Sequence, residues 1–221
     1  MPSLPLFPLG TVLLPGARLP LVLFEPRYLE LARTLAEQDE DDRCFGVVLI
    51  RKGHEVGPDA VQDLHGIGCE ARVDAMALAE GAVGTAVHLV ATGVRRFRLD
   101  GVDEDAGTPF TTGVVTWLPE PPLTDDAEAT ALAERALREH TAYLVGLGVE
   151  VEPVEAPLSQ VAYRVAERTV LDPSDRQRVL EGADACTRLR TVIALLRREV
   201  AIVGRFGAVP TPPSPGGASL N

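Results

Sequence analysis

The sequence predicts an α+β fold: a small closed or nearly closed β-barrel over residues 1–122, then a helical bundle over 123–207. Three observations carry this. Short apolar runs broken by Pro and Gly recur through the first 120 residues, as strands at barrel spacing do. Near residue 125 the apolar spacing changes to that of helices. After 207 the composition turns to Pro, Gly and Ser, which predicts a disordered tail over 208–221. With 46% hydrophobic and 24% charged residues in 221, the body of the chain has an ordinary globular mix.

Each element has a local reason. Residues 4–23, "LPLFPLGTVLLPGARLPLVL", alternate apolar runs with Pro and Gly, so they read as short strands and tight turns. Pro15-Gly16 marks a turn, and Pro20 marks an edge strand or a strand start. In "FEPRYLELARTLAEQ" Pro26 suits a first helical position, and Tyr28, Leu31, Ala32 and Leu35 share one face of about three turns. "CFGVVLI" is a buried strand and "RKGHEVGPDAVQD" a polar loop. "GIGCEARVDAMAL", "GTAVHLVAT", "VRRFRLDGV" and "PFTTGVVTWL" follow as four more strands. A helix spans 125–147, with Asp125 and Glu128 as a capping box. Ser159 caps a second helix, and Asp172 with Pro173 opens a third. The fourth carries the stripe Leu189, Val192, Ile193, Leu196, Val200, Val203.

Composition excludes several classes. The net charge is −11, with twenty arginines and the single lysine Lys52, so a phosphate backbone or an anionic membrane is repelled overall. Prolines break every N-terminal apolar run and no base precedes Arg18, so the opening is not read as a secretory signal. No run reaches the ~18 apolar residues of a membrane span. A cytoplasmic protein is expected. Cys44, Cys69 and Cys186 are too few and too scattered for a disulfide framework, and no pair has zinc-ligand spacing. His65 stands four residues before Cys69, a weak pair without further ligands; His54, His88 and His140 are scattered. No metal or cofactor is expected.

The order "PLFPLGTVLLPGARLPLVLFEPRYLEL", "FGVVLI", "GHEVG", "GVRRF" and a late "LP" resembles the N-terminal domain of Lon-type ATP-dependent proteases. The similarity runs on through "LRREV", and the combination "FPL…LPG…LPL…FEPRY" is its specific part. The resemblance implies a PUA-like pseudobarrel followed by a helical bundle, acting in substrate recognition and subunit contact. A related domain occurs in cereblon. Full Lon proteases carry an ATPase and a Ser-Lys peptidase after this domain. A P-loop needs Gly-Lys-Ser/Thr, and the single lysine lies in "IRKGHEV". Ser3, Ser159, Ser174, Ser214 and Ser219 sit at helix starts or in the termini, with no lysine placed to activate them. The chain is therefore expected to be a stand-alone, non-catalytic form.

Three places are candidate binding residues. "TVLLPG" cannot place Leu13 and Leu14 on one strand face, so one of them, beside Pro15, either stands in an exposed apolar patch or packs against the helical part. In "FEPRY", Arg27 and Tyr28 either fix the strand-to-helix junction or bind. In "GVRRFRL", counting by twos puts Arg95 on the apolar face with Phe97 and Leu99, and Arg96 and Arg98 on the other. An arginine on the apolar face needs a carboxylate, either its own ion pair or an anionic ligand. The expected partners are unfolded or hydrophobic polypeptide segments, or a partner protein. The alternative is a PUA-like nucleic-acid-binding module, which the −11 charge disfavours. A small-molecule enzyme would need a deep pocket where Arg95, His and carboxylate groups converge.

Overall fold

A computed structural model describes residues 2–55, 61–81, 84–120, 123, 126–206 and 219–220. The chain forms two compact units, Met1–Pro119 with Pro215–Asn221, and Glu120–Ser214.

In the first unit the strands are β1 (Ser3–Leu9), β2 (Arg18–Leu23), β3 (Cys44–Gly53), β4 (Val61–Leu64), β5 (Ile67–Gly81), β6 (Gly84–Val102) and β7 (Thr112–Trp117). β1 lies parallel to β3 and antiparallel to β7. β7 pairs with β6, β6 with β5, and β5 returns to β3, all antiparallel. Five strands thus close a ring. β2 adds to β6 and β4 to β3. Inside, Leu4, Leu6, Val48, Phe97 and Val115 are buried together, with Leu64, Leu99 and Trp117 packed against them.

The prolines sit where the ladders tolerate them. β1 pairs with β7 over residues 3–5 and with β3 over 6–9, so Pro5 and Pro8 each have a ladder neighbour on one side only. Pro20 lies in the added strand β2, opposite Val90. α1 (Pro26–Ala36) starts with Pro26 at its N-terminus and buries Tyr28, Leu31, Ala32 and Leu35, the face that the helical spacing marks out. The Tyr28 ring stacks on Phe7 at 4.1 Å between centroids, and Phe45 lies 5.9 Å from Phe7.

The strands expected separately in "GTAVHLVAT" and "VRRFRLDGV" form one long strand, β6, which carries register shifts in place of a break. A two-residue strand β8 (Ser219–Leu220) runs parallel to β2, Leu21 opposite Ser219 and Val22 opposite Leu220. The expectation of a disordered tail over 208–221 otherwise lies outside the described residues.

The second unit holds α2 (Ala127–Leu147), α3 (Val161–Glu167), α4 (Pro173–Glu181) and α5 (Ala185–Phe206). Asp126 caps α2, its Oδ1 accepting from the Ala129 N–H at 3.0 Å; Asp125, expected in that role, lies outside the described residues. Gly148, at φ 68°, closes the same helix in the left-handed conformation. Ser159 does not cap: it sits within a short 3-10 turn, Leu158–Gln160, that leads into α3. Leu189, Val192, Ile193, Leu196 and Val203 of the α5 stripe are buried. No helix among the described residues is long and apolar enough to cross a membrane.

Candidate functional site

The opening stretch corrects one expectation. Leu13 is 3% exposed and Leu14 1%, and Pro15 is buried with them, so no apolar patch stands there. The alternation rule does not apply because residues 12–15 form a loop, whose side chains are free to turn the same way. That loop is strapped to the middle of β6. Gly16 N donates to Gly93 O at 2.7 Å, and Gly93 N donates to Ala17 O at 2.9 Å. A side chain at residue 93 would meet the Leu14 carbonyl oxygen at 2.4 Å, so only glycine lets the two backbones approach this closely.

"FEPRY" fixes its junction. Arg27 pairs with Glu25 at 3.1 Å, donates from Nη2 to the Glu55 carbonyl at 3.0 Å, and lies over the Tyr28 ring at 4.6 Å. Burial pushes the Tyr28 phenol up to about 12, with Arg27 opposing and Glu25 and Glu55 adding to the rise. Tyr28 is thus a neutral core ring, held by Phe7 on one side and capped by a guanidinium. Arg27 has its partners inside the protein.

The second correction concerns Arg95 and Arg96. Cys69 faces Arg96 and Ala71 faces Gly93, so Val94 and Arg95 together stand opposite the single residue Glu70. That is a β-bulge, and its extra residue shifts the phase of the strand. Arg96 is consequently the buried arginine, at 2% exposure, while Arg95 is half exposed. Arg95 forks onto the buried Glu70 carboxylate, Nε to Oε2 at 2.7 Å and Nη2 to Oε1 at 3.3 Å. Its guanidinium also stacks on Trp117 at 3.7 Å. Glu70 and Trp117 were not singled out by the sequence. Glu70 lies in a segment read simply as strand, and only the bulge brings it under Arg95.

The bulge forms one wall of a cleft of about 440 Å³, lined also by Ser3, Gln38, Asp41, Asp42, Cys44 and Arg72. Burial pushes the Cys44 thiol up to about 11, with Glu70 adding to the rise, so it is a protonated thiol near neutral pH rather than a nucleophile. The Glu70 charge is already matched by Arg95. What the cleft offers a ligand is Val94, exposed at the bulge, the carboxylates of Asp41 and Asp42, and the exposed guanidinium of Arg72. A second cleft, about 460 Å³, is lined by Arg51, Asp63, His65, Gly66, Asp100 and neighbours. Arg51 and Asp63 pair within it at 3.1 Å, and Asp100 pairs with Arg98, which lies outside the lining, at 2.7 Å. Among the described residues no group of three or more His, Cys, Asp or Glu could hold a metal ion.

In the helical unit the polar interior is structural. Arg188, fully buried on α5, donates from Nη2 to Glu120 Oε2 at 2.6 Å and lies over the Tyr163 ring at 4.9 Å. The Tyr163 hydroxyl donates to Glu120 Oε1 at 2.9 Å. Both Glu120 oxygens are thereby used, as a buried ion pair requires. Burial pushes His140 down, so the ring is neutral, and its Nε2 lies 3.5 Å from the Arg168 carbonyl.

Comparison with known proteins gives a consistent picture. The sequence profile of the "ATP-dependent protease La (LON) substrate-binding domain" matches residues 3–198. The Lon protease of Phenylobacterium zucineum is 30% identical over 207 residues, 89% of this chain and 24% of that protein. Lon protease 2 of Myxococcus xanthus is 28% identical over 209 residues, again 24% of its length. The chain thus spans about a quarter of the curated relatives it matches. Among solved structures, a Lon N-terminal domain protein from Xanthomonas campestris superposes with a TM-score of 0.61 at 30% identity, covering 88% of this chain and 98% of that one. The N-terminal domain of the Mycobacterium avium complex Lon protease gives 0.60 at 17% identity, covering 89% and 98%, a likeness of fold.

Proposed function

Because this chain belongs to the Lon substrate-binding domain family, we propose that it binds polypeptide segments and does no chemistry on them. The match of that domain over residues 3–198 is the observation that carries the reading. Two further features support it. The Arg95 cleft presents an exposed valine and, with Arg95 committed to Glu70, the carboxylates of Asp41 and Asp42 against the one exposed guanidinium of Arg72, a surface that favours basic and apolar side chains. The −11 net charge favours the same ligands and opposes nucleic acid. The whole Lon proteases span four times this length, and their hydrolytic work is no part of the proposal for this chain. Leu13, Leu14 and Pro15 have no place in the contact surface, because they are buried.

The test is an NMR titration of the full chain with three probes: unfolded lysozyme with its cysteines reduced and amidated, an unfolded acidic polypeptide, and a short RNA. Saturable shifts are expected with the basic polypeptide, weaker ones with the acidic polypeptide, and none with RNA. Added salt is expected to weaken the first. Shifts with RNA alone, at Arg95, Arg96 and Arg98, would replace this reading with the nucleic-acid one.

A further inference from the structure

Among the described residues, the ring leaves β5 with an open side. β5 pairs with β3 only through residues 69–72, and the contact ends with Val73 N donating to Arg43 O at 2.9 Å. There β3 begins, and the 3-10 turn before it, Glu40–Asp42, lies beside β5 without forming a ladder with it. Beyond that point β5 runs on along β6 to Gly81, and among the described residues nothing pairs with its other side. This open stretch, residues 74–79, reads "DAMALA". Asp74, Ala75 and Ala77 are exposed, and Leu78 is 70% exposed. A long apolar edge with unpaired backbone groups is a template for another strand, and proteins ordinarily blunt such edges with charge, proline or a cover. Here the register on β6 shifts between Val73 and Ala75, so a bulge at Asp74 marks the start of the edge, where that carboxylate accepts from the Thr92 hydroxyl at 2.6 Å. From Ala75 to Ala79 the pairing with β6 is regular and no charge is described.

We propose that residues 74–79 of β5 bind an extended polypeptide segment by strand addition, with apolar side chains along the edge and a basic residue reaching Asp41 and Asp42. The proposal rests on the polypeptide-binding reading above and names where and how that binding occurs. Charge selects the occupant. The edge starts where the cleft containing Asp41, Asp42 and Arg72 lies, and Asp39 and Glu40 extend the same acidic run. A segment leaving the edge there meets a surplus of carboxylates. A second copy of this chain fits less well. Each copy carries a net charge of −11, so two copies repel one another as they approach. Strand addition also suits a recogniser of many sequences, because the backbone supplies the affinity and the side chains need only alternate. The fold already takes a segment this way: Ser219–Leu220 lie along the outer side of β2.

The experiment uses the full chain and a synthetic peptide of alternating valine and threonine with lysine at both ends. Two derivatives carry N-methyl groups on alternate backbone amides, one in each phase. Strand addition predicts that one phase weakens binding at least tenfold while the other changes it little, because only alternate amides face the edge. Hydrogen exchange should slow at residues 74–79 when the parent peptide binds. Asp41→Asn with Asp42→Asn, both exposed, should weaken the lysine peptide several-fold and leave a serine-ended peptide unchanged. Equal binding of both N-methylated phases, or protection elsewhere, overturns the proposal. So does protection of residues 74–79 that depends on protein concentration without peptide, which assigns the edge to a second copy. If unfolded lysozyme binds but residues 74–79 stay unprotected, the edge falls and the binding reading stands. If no polypeptide binds, both fall.

Discussion

Residues 12–15 and residues 75–79 are both short apolar stretches of the β-unit, yet the first is buried while Ala75, Ala77 and Leu78 of the second are exposed and Met76 and Ala79 half-buried. The first, "VLLP", is the greasier and lies in a loop; the second, "AMALA", lies in a regular strand. The difference is one of neighbours. The loop has β6 beneath it and is tied there through Gly93. Among the described residues the strand pairs with β6 on one side only, because β3 starts too late along the chain to pair with the other. Burial of an apolar side chain is thus decided by what the topology places beside it, and local hydrophobicity alone does not report that.

The comparison can be broken most forcefully at Leu14. Leu14→Ala should destabilise the protein by ~2–5 kcal/mol, as for a leucine lost from a packed interior; a urea midpoint within error of the parent would show that the loop does not contribute to the core. Gly93→Ala acts on the strap itself. The methyl group would strike the Leu14 carbonyl, and a loss of ~1–3 kcal/mol is expected, with faster hydrogen exchange at Gly16 and Ala17. No loss would mean that the loop shifts without penalty. At the other extreme, Leu78→Ala should change stability by less than ~0.5 kcal/mol. A larger drop on thermal unfolding would show that Leu78 is covered in solution.

How much of this was legible follows the same division. Where a local period governs, the sequence sufficed: Tyr28, Leu31, Ala32 and Leu35 form the buried face of α1, and the α5 stripe is buried at Leu189, Val192, Ile193 and Leu196. Where a non-local event governs, it did not. The inserted residue at Val94–Arg95 exchanges the roles of Arg95 and Arg96, and nothing in "GVRRFRL" marks the bulge. Glu70 was invisible as a partner because it lies in another strand, 25 residues away in the chain. The open side of β5 depends on where β3 begins, a property of the ring rather than of "DAMALA".

Closure of the ring also bears on how the chain is made. Ser3 of β1 finds its partner in Val114 of β7, and Leu6 through Leu9 find theirs in β3. During synthesis the first strand therefore leaves the ribosome well before its second neighbour exists, carrying Leu4, Leu6, Phe7 and Leu9 uncovered. Its two prolines lack the N–H groups that a wrongly matched strand would need. The broken, greasy opening is in these terms a strand that can wait: apolar enough to form the core when the ring closes, and too interrupted to pair readily with a stranger beforehand.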